Sequence, residues 1–385
     1  VSDNVTKTEV DDLRTDTTGD ITLTSLTEDK GDIATINGFE DVILSTTNIS
    51  VTDTVSLSDA TTLNGFTAGL VTLNVVEDTV SNIKSIDAID SNDVSMAAAA
   101  VTVTDAATLA NAKAINNFTN GQVTLNIVQD TVSNITSIDG LTTSDVSMGA
   151  AAVTVTDAAS LANATAINGF TTGKVTLNSV EDTYSNIQSI KSIADGEVDM
   201  GAAAVKVSDN VTKTEVDDLR TDTTGNITLT SVTEDKADLA TINGFADVIL
   251  STANITVTDN VDKSEADTID AYSNTSGIVT LTSITDTVAN VTAVENNTNI
   301  SLDTSTITVT DAASKDDAVA INNFTNAQVT LNAVQDSYDN LIAIDQLTTS
   351  EVSMADAAIT VTGSIDKSKV DALRQTTTGN VTVED

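Results

Sequence analysis

No cysteine, histidine, proline or tryptophan occurs in the 385 residues, and aromatics amount to three Tyr and six Phe. Each absence removes a class of protein. Without Cys there is no disulfide framework. Without His or Cys, neither a conventional Ser or Cys triad nor a His-bound metal can be assembled. An average chain carries roughly 5% Pro. Pro lacks the backbone donor and is kept out of sheet interiors, so its complete absence points to a backbone that donates into an unbroken ladder. Basic residues are scarce too: 16 Lys and Arg against 57 Asp and Glu leave a formal charge of −41. That balance excludes nucleic acid and anionic membrane surfaces, both of which demand Lys and Arg. No apolar run approaches the ~18 residues of a spanning helix, which excludes membrane insertion.

The chain begins at Val1 with neither Met nor leader, as expected of a processed form or a segment of something longer. An acidic surface stays soluble in salt and attracts cations, which fits an extracellular or cell-surface location.

What the sequence does contain is aliphatic residues set among Thr, Ser, Asn and Asp, a β-rich and turn-rich alphabet with enough apolar mass for a core. It is periodic. The phrase V-[ST]-D and its variants place Asp3, Asp53, Asp105, Asp157, Asp209, Asp259 and Asp311 at spacings of 50 or 52, with Gly363 in the next slot. A second series, Glu28, Asp78, Asp130, Asp182, Glu234, Asp286 and Asp336, falls between them. Interleaved, the two recur every 25 to 27 residues.

Each interval reads alike. A short alternating strand such as Val71-Thr72-Leu73 or Val123-Thr124-Leu125 comes first. A second strand follows and ends at the Asp, as in Val101-Thr102-Val103-Thr104-Asp105. A segment of helical spacing closes the unit (Leu109, Ala112, Ile115, Phe118), with Asn-Gly or Asn-Asn at its end. The pattern predicts a β-solenoid, parallel β-helix-like, of two short strands plus a short helical segment per coil. About 15 coils of ~26 residues pair into ~52-residue units.

The coils alternate in length. Val123 to Asp130 is 7 steps, but Val94 to Asp105 is 11, and the extra residues are small (Ala97 to Ala100, Gly149 to Ala152), so that coils can approach closely at that corner. Repeat units begin near 1, 51, 103, 155, 207, 257, 309 and 361, which reads as one continuous solenoid over 1–385. Coils stacked directly over one another at ~4.8 Å make a rod on the order of 70 Å long. Residues 1–50 reappear almost unchanged at 207–256. Joining the last residues to the first (V-T-V-E-D, then V-S-D) reproduces a short coil. The chain is therefore expected to continue into further repeats or to dock head to tail with copies of itself.

The phrases Asp78-Thr79-Val80-Ser81-Asn82-Ile83, Asp130-Thr131-Val132-Ser133-Asn134-Ile135 and Asp286-Thr287-Val288-Ala289-Asn290-Val291, with the V-T-V-T-D strands, resemble repeats of very large secreted or cell-surface bacterial proteins, including adhesin-like and cyanobacterial surface proteins. The resemblance covers nearly the whole chain and implies stalks, layers, matrix fibres or adhesins. The glycine-rich calcium nonapeptide of many such proteins is absent.

The carboxylate ladder is the main candidate site: Asp53, Asp78, Asp105, Asp130, Asp157, Asp182, Asp209, Asp259, Asp286, Asp311 and Asp336. Read as structure, each Asp N-caps the helical segment that follows it. Read as function, the row repels itself and would be relieved by bound Ca²⁺, which prefers such oxygen ligands. The Asn of D-T-x-x-N (Asn82, Asn134, Asn186, Asn290, Asn340) is either a buried amide ladder or a solvated residue. The three arginines, Arg14 and Arg220 in V-D-D-L-R and Arg374 in V-D-A-L-R, are expected in helix-face ion pairs with a nearby carboxylate. Carboxylates could in principle hydrolyse glycosides, but here they recur in every coil rather than converge once, so no enzyme is expected. The leading expectation is an extracellular structural rod. The alternative is a binding module of a bacterial adhesin with a cell-surface, glycan or ice contact. The outward Thr row (Thr22, Thr72, Thr124, Thr176, Thr228, Thr280, Thr330) resembles an ice-binding array, but Ile43, Ser95, Ser147, Asp199 and Ile249 interrupt it, so solvated, β-favouring Thr is the better account.

Overall fold

A computed structural model describes residues 1–385 except 142–144, 194–196, 274–276, 348–350 and 385. The chain divides into two compact units, Val1–Val180 with Asn186–Met200, and Glu181–Ser185 with Gly201–Asp385. Each is a parallel β-solenoid. Fifteen helices alternate with strands along the described residues, one per coil.

The core of each coil lies between strand and helix. In the strand Ala100–Ala107, Val101, Val103 and Ala107 point inward. The helix Leu109–Asn116 turns Ala112 and Ile115 onto them. Those two are three residues apart, the spacing that puts residues on one helix face. The helix Val132–Asp139 buries Ile135 and Ile138 in the same way, and Lys236–Asn243 buries Leu239 and Ile242. A helix of eight residues is too short to stand alone in water, so this burial against the sheet is what maintains it.

Two details differ from the sequence expectation. In the short coils the two strands merge into one, as in Val71–Asp78, Val123–Asp130 and Val329–Asp336. Seven steps leave no room for a corner, and the inward phase merely slips, from Val71 and Leu73 to Val76. The long coils keep a separate two-residue strand, such as Val94–Ser95 or Val146–Ser147, and so does the first short coil, where Ile21–Thr22 stands apart from Ser25–Glu28.

Nor do the coils stack column upon column. Ala107 pairs with Val128, Val128 with Val153, Val153 with Val175, and Val175 with Val198, where that column ends. A fresh column starts in each long coil, where the residues around its Asp also form a β-bulge. The register shifts between Val51 and Thr54, Val103 and Ala106, Val155 and Ala158, and, in the second unit, Val207 and Asn210. Each bulge adds a residue to one strand.

The small-residue corner is as expected. Ala99, Ala151, Ala203 and Ala253 are fully buried there. What presses on them is a Thr-x-Gly phrase absent from the sequence reading. Thr119 Oγ1 donates to the Ala99 carbonyl at 2.6 Å and accepts the Gly121 amide at 2.9 Å. Thr171 and Gly173 repeat this against Ala151, and Thr377 and Gly379 against Ala357. A Cβ at Gly173 would stand 2.2 Å from the Ala151 oxygen, inside contact distance. In one coil Ala327 takes the Gly place, opposite Ser305, so there the backbone accommodates the methyl. Gly173→Ala is expected to cost on the order of 2 kcal/mol, as overpacking does. Gly169→Ala, in a helix with open space around it, is expected to gain up to about 1 kcal/mol. Denaturant unfolding of the two variants side by side checks the contrast.

Candidate functional site

The start of each helix is where the acidic ladder lies, and the helix's own first turn explains why. In most coils its N-cap is a hydroxyl: Thr79 accepts the Asn82 amide, Thr108 that of Asn111 and Thr131 that of Asn134, while at Asp29, Asp235 and Asp366 it is a carboxylate. At Ser56, Thr212 and Ser314 an acidic side chain at the third helical position closes a capping box. These bonds leave the amide of the first helical residue without an intrahelical partner.

The ladder carboxylates meet that remaining amide, but in the coil before their own. Asp78 accepts the amide of Leu57 at 2.8 Å, Asp105 that of Val80 at 2.7 Å and Asp130 that of Leu109 at 2.8 Å. Asp53 takes Lys30, Asp157 takes Val132, Asp209 takes Tyr184 and Asp259 takes Lys236. Asp286 takes Lys263, Asp311 takes Val288 and Asp336 takes Lys315, while Glu28 and Glu234 serve Lys7 and Lys213. Asp182 accepts the Thr183 amide at 2.8 Å. Capping by these residues is therefore real but misassigned by sequence proximity. The Asp stands too early in its own coil to act as N-cap there, and the helix it serves ends up beside it through the parallel stacking.

Two geometries deliver the carboxylate. In long coils it projects from the β-bulge, which re-aims a side chain out of the strand's alternation. In short coils it ends the eight-residue strand, and its second oxygen is also engaged. Asp130 Oδ1 accepts the Thr131 amide at 2.9 Å and Asn134 Nδ2 at 2.7 Å. Asn82, Asn290 and Asn340 do the same for Asp78, Asp286 and Asp336. Asn in D-T-x-x-N is thus neither a ladder of its own nor idle on the solvent side; it holds the carboxylate.

Burial raises the cost of charge on Asp78, Asp130, Asp286 and Asp336. The converging amides and Asn side chains outweigh it and hold all four carboxyls below the usual carboxylate range. Among the described residues, the one place where three carboxylates crowd within 4.8 Å is Glu28, Asp29 and Asp32. There Glu28 accepts Lys7 and Asp29 caps Asp32.

A second contact between coils involves the arginines. Arg14 Nε reaches both oxygens of Asp41 at 2.9 Å, and its guanidinium lies 3.7 Å over the Phe39 ring. Arg220 repeats this with Asp247 and Phe245, 3.8 Å from the ring centre. The expected ion pair exists at Arg14 and Arg220, but its partner is in the next coil; Arg374 makes no ion pair among the described residues. The recurring N-G-F-x-D phrase was the available signal.

On the outward face Thr72 sits between Ser50 and Ser95, Thr124 between Thr102 and Ser147, and Ile249 interrupts the row beside Thr228. No described helix is long and apolar enough to cross a membrane. Against known proteins, no family model, no curated protein and no solved structure matches the chain.

Asp130→Ala strands three donors and is expected to cost about 1–3 kcal/mol, whereas Asp130→Asn keeps an acceptor and costs less; urea unfolding separates the two. The depressed carboxyls give a sign for pH. The unfolded chain binds protons first, so their contribution is complete above the unfolded value of ~3.9 and is lost as pH falls through the lower folded values. A melting series should therefore run flat above about pH 5 and drop steeply below about pH 4. Because backbone amides hold the ladder oxygens, EDTA is expected to leave the melting temperature unchanged, and a fall on chelation would restore calcium as the organising ligand.

Proposed function

We propose that the chain is an extracellular structural element, a rigid acidic solenoid belonging to a surface filament, stalk, layer or matrix fibre. The observation that supports this is the sameness of its coils. In both units the potentially reactive carboxylates do one thing, accepting a helix amide of the neighbouring coil, over and over. Binding and catalytic sites are single constellations placed on a fold. Here the polar groups repeat with the coil. A solenoid of this kind gains stability from stacking, coil on coil, which favours long arrays and end-to-end continuation.

A charge of −41 adds to this reading. Like-charged elements repel sideways at distances within the Debye length, ~8 Å at physiological salt, so lateral clumping is resisted while axial stacking, driven by apolar burial, is not. No catalytic step belongs to the proposal.

Electron microscopy of native material labelled with an antibody to the chain tests it. Label on filaments or layers of constant width outside the cell is the expected result. Label confined to discrete soluble particles inside the cell would overturn it.

A further inference from the structure

Five Asn-Gly pairs occur in the chain, at Asn37, Asn64, Asn120, Asn168 and Asn243. In such a pair the glycine, lacking a Cβ, leaves its amide nitrogen open to approach by the Asn side chain. The fold treats the five unequally. Asn37, Asn64 and Asn243 each end a helix, and the amides of Gly38, Gly65 and Gly244 are bonded to carbonyls three and four residues back. Asn168 and Gly169 lie inside the helix Leu161–Phe170. A helical ψ of about −42° holds the following amide away from the side-chain carbonyl, so these four pairs are protected.

Asn120 is different. It is exposed and lies outside any helix, between Leu109–Asn116 and the strand Val123–Asp130. The Gly121 amide is held by the Thr119 hydroxyl at 2.9 Å rather than by a helix carbonyl. Thr172 and Thr224, which fill the place of Asn120 in two other coils, donate their hydroxyls to the Gly149 and Gly201 carbonyls. The Asn120 side chain has no such tie among the described residues. In the second unit its counterpart Asn326 is followed by Ala327, and Asn326 Nδ2 donates to the Asp303 carbonyl at 3.3 Å. The corner at Asn120 also has the least room for extra backbone: a Cβ at Gly121 would stand 2.1 Å from the Ala99 oxygen.

We propose that Asn120 is a site of spontaneous self-modification, at which the folded chain loses ammonia and takes up water to become aspartyl and isoaspartyl. The inference is independent of the structural role proposed above. The Gly121 amide nitrogen gives up its proton and bonds to Asn120 Cγ. The Cγ–Nδ2 bond breaks, and ammonia leaves carrying the proton. Water then opens the cyclic imide. Cleavage at the Cγ–N bond gives Asp, and cleavage at the main-chain carbonyl gives isoaspartate. One water is consumed for each ammonia released, and nothing is oxidised or reduced. Isoaspartate carries the main chain through Cβ and so lengthens it beside Gly121, where the packing against Ala99 has no slack. The bond from Thr119 to the Ala99 carbonyl is the tie this displaces.

The test incubates the purified 385-residue chain at mildly alkaline pH, folded and in urea, beside Asn120→Thr, which installs the residue that other coils carry. Tandem mass spectrometry of proteolytic peptides locates each loss of amide, and an isoaspartyl methyltransferase assay counts isoaspartate. In the folded chain Asn120 is expected to react at least about tenfold faster than Asn37, Asn64, Asn168 or Asn243. In urea the five should react at similar rates. Incubated wild type should develop a fraction of lower melting temperature, and Asn120→Thr should not. Equal rates at the five sites in the folded chain overturn the proposal. A lead for Asn120 that persists undiminished in urea does so too, since the difference would then belong to local sequence and not to the fold. Isoaspartate at Asn120 without any change in melting would overturn the loosening of the corner.

Discussion

The amide of the first helical residue has to find an acceptor, and in this protein the next coil supplies it. An eight-residue helix leaves its first four amides free of intrahelical partners. A hydroxyl N-cap, or in a few coils an Asp, satisfies the third. The neighbour's carboxylate satisfies the first and brings a negative charge to the positive end of the helix dipole. Satisfying a local deficit from the adjacent coil couples folding of one coil to arrival of the next. Backbone pairing alone would permit slippage, since Val and Thr repeat along every strand. A carboxylate that must meet one particular amide does not permit it. The ladder of Asp residues therefore acts as a register device as much as a stabilising one.

The same coupling explains where polar residues sit. Asp130 can be kept charged while partly buried because Leu109, Thr131 and Asn134 converge on it. Remove that convergence and a partly buried charge is a liability. The Arg14–Asp41–Phe39 cluster is a second tie of the same kind, with the ring shielding one face of the guanidinium. Both ties run from coil to coil, and together with the Thr corner they hold together a chain that has no cysteine and few aromatics.

Much of this was legible from the sequence. The absence of Pro, the alternation in Val123-Thr124-Leu125 and the Ala112/Ile115 spacing give strand, helix and parallel stacking, since each rests on a local period. The ladder's positions were equally plain. What it contacts was not, because Asp105 is four residues from its own helix start but meets Val80 through space. The bulge that aims it depends on how the partner strand counts residues, and no single strand shows that. Direct overlay of coils was the wrong expectation for the same reason: a slip between ladders is a property of pairs. Asn134 was misjudged since its role needs Asp130 already in place.

The staggered columns have a mechanical consequence. A column that runs from Ala107 through Val128, Val153 and Val175 to Val198 overlaps the one before it, which runs from Val55 through Val76, Val101 and Val123 to Val146, as courses do in a brick wall laid in running bond. A crack opening between two neighbouring coils cannot follow one straight seam; it must cross ladders at different stages of their length. Tension is thereby shared over several turns at once.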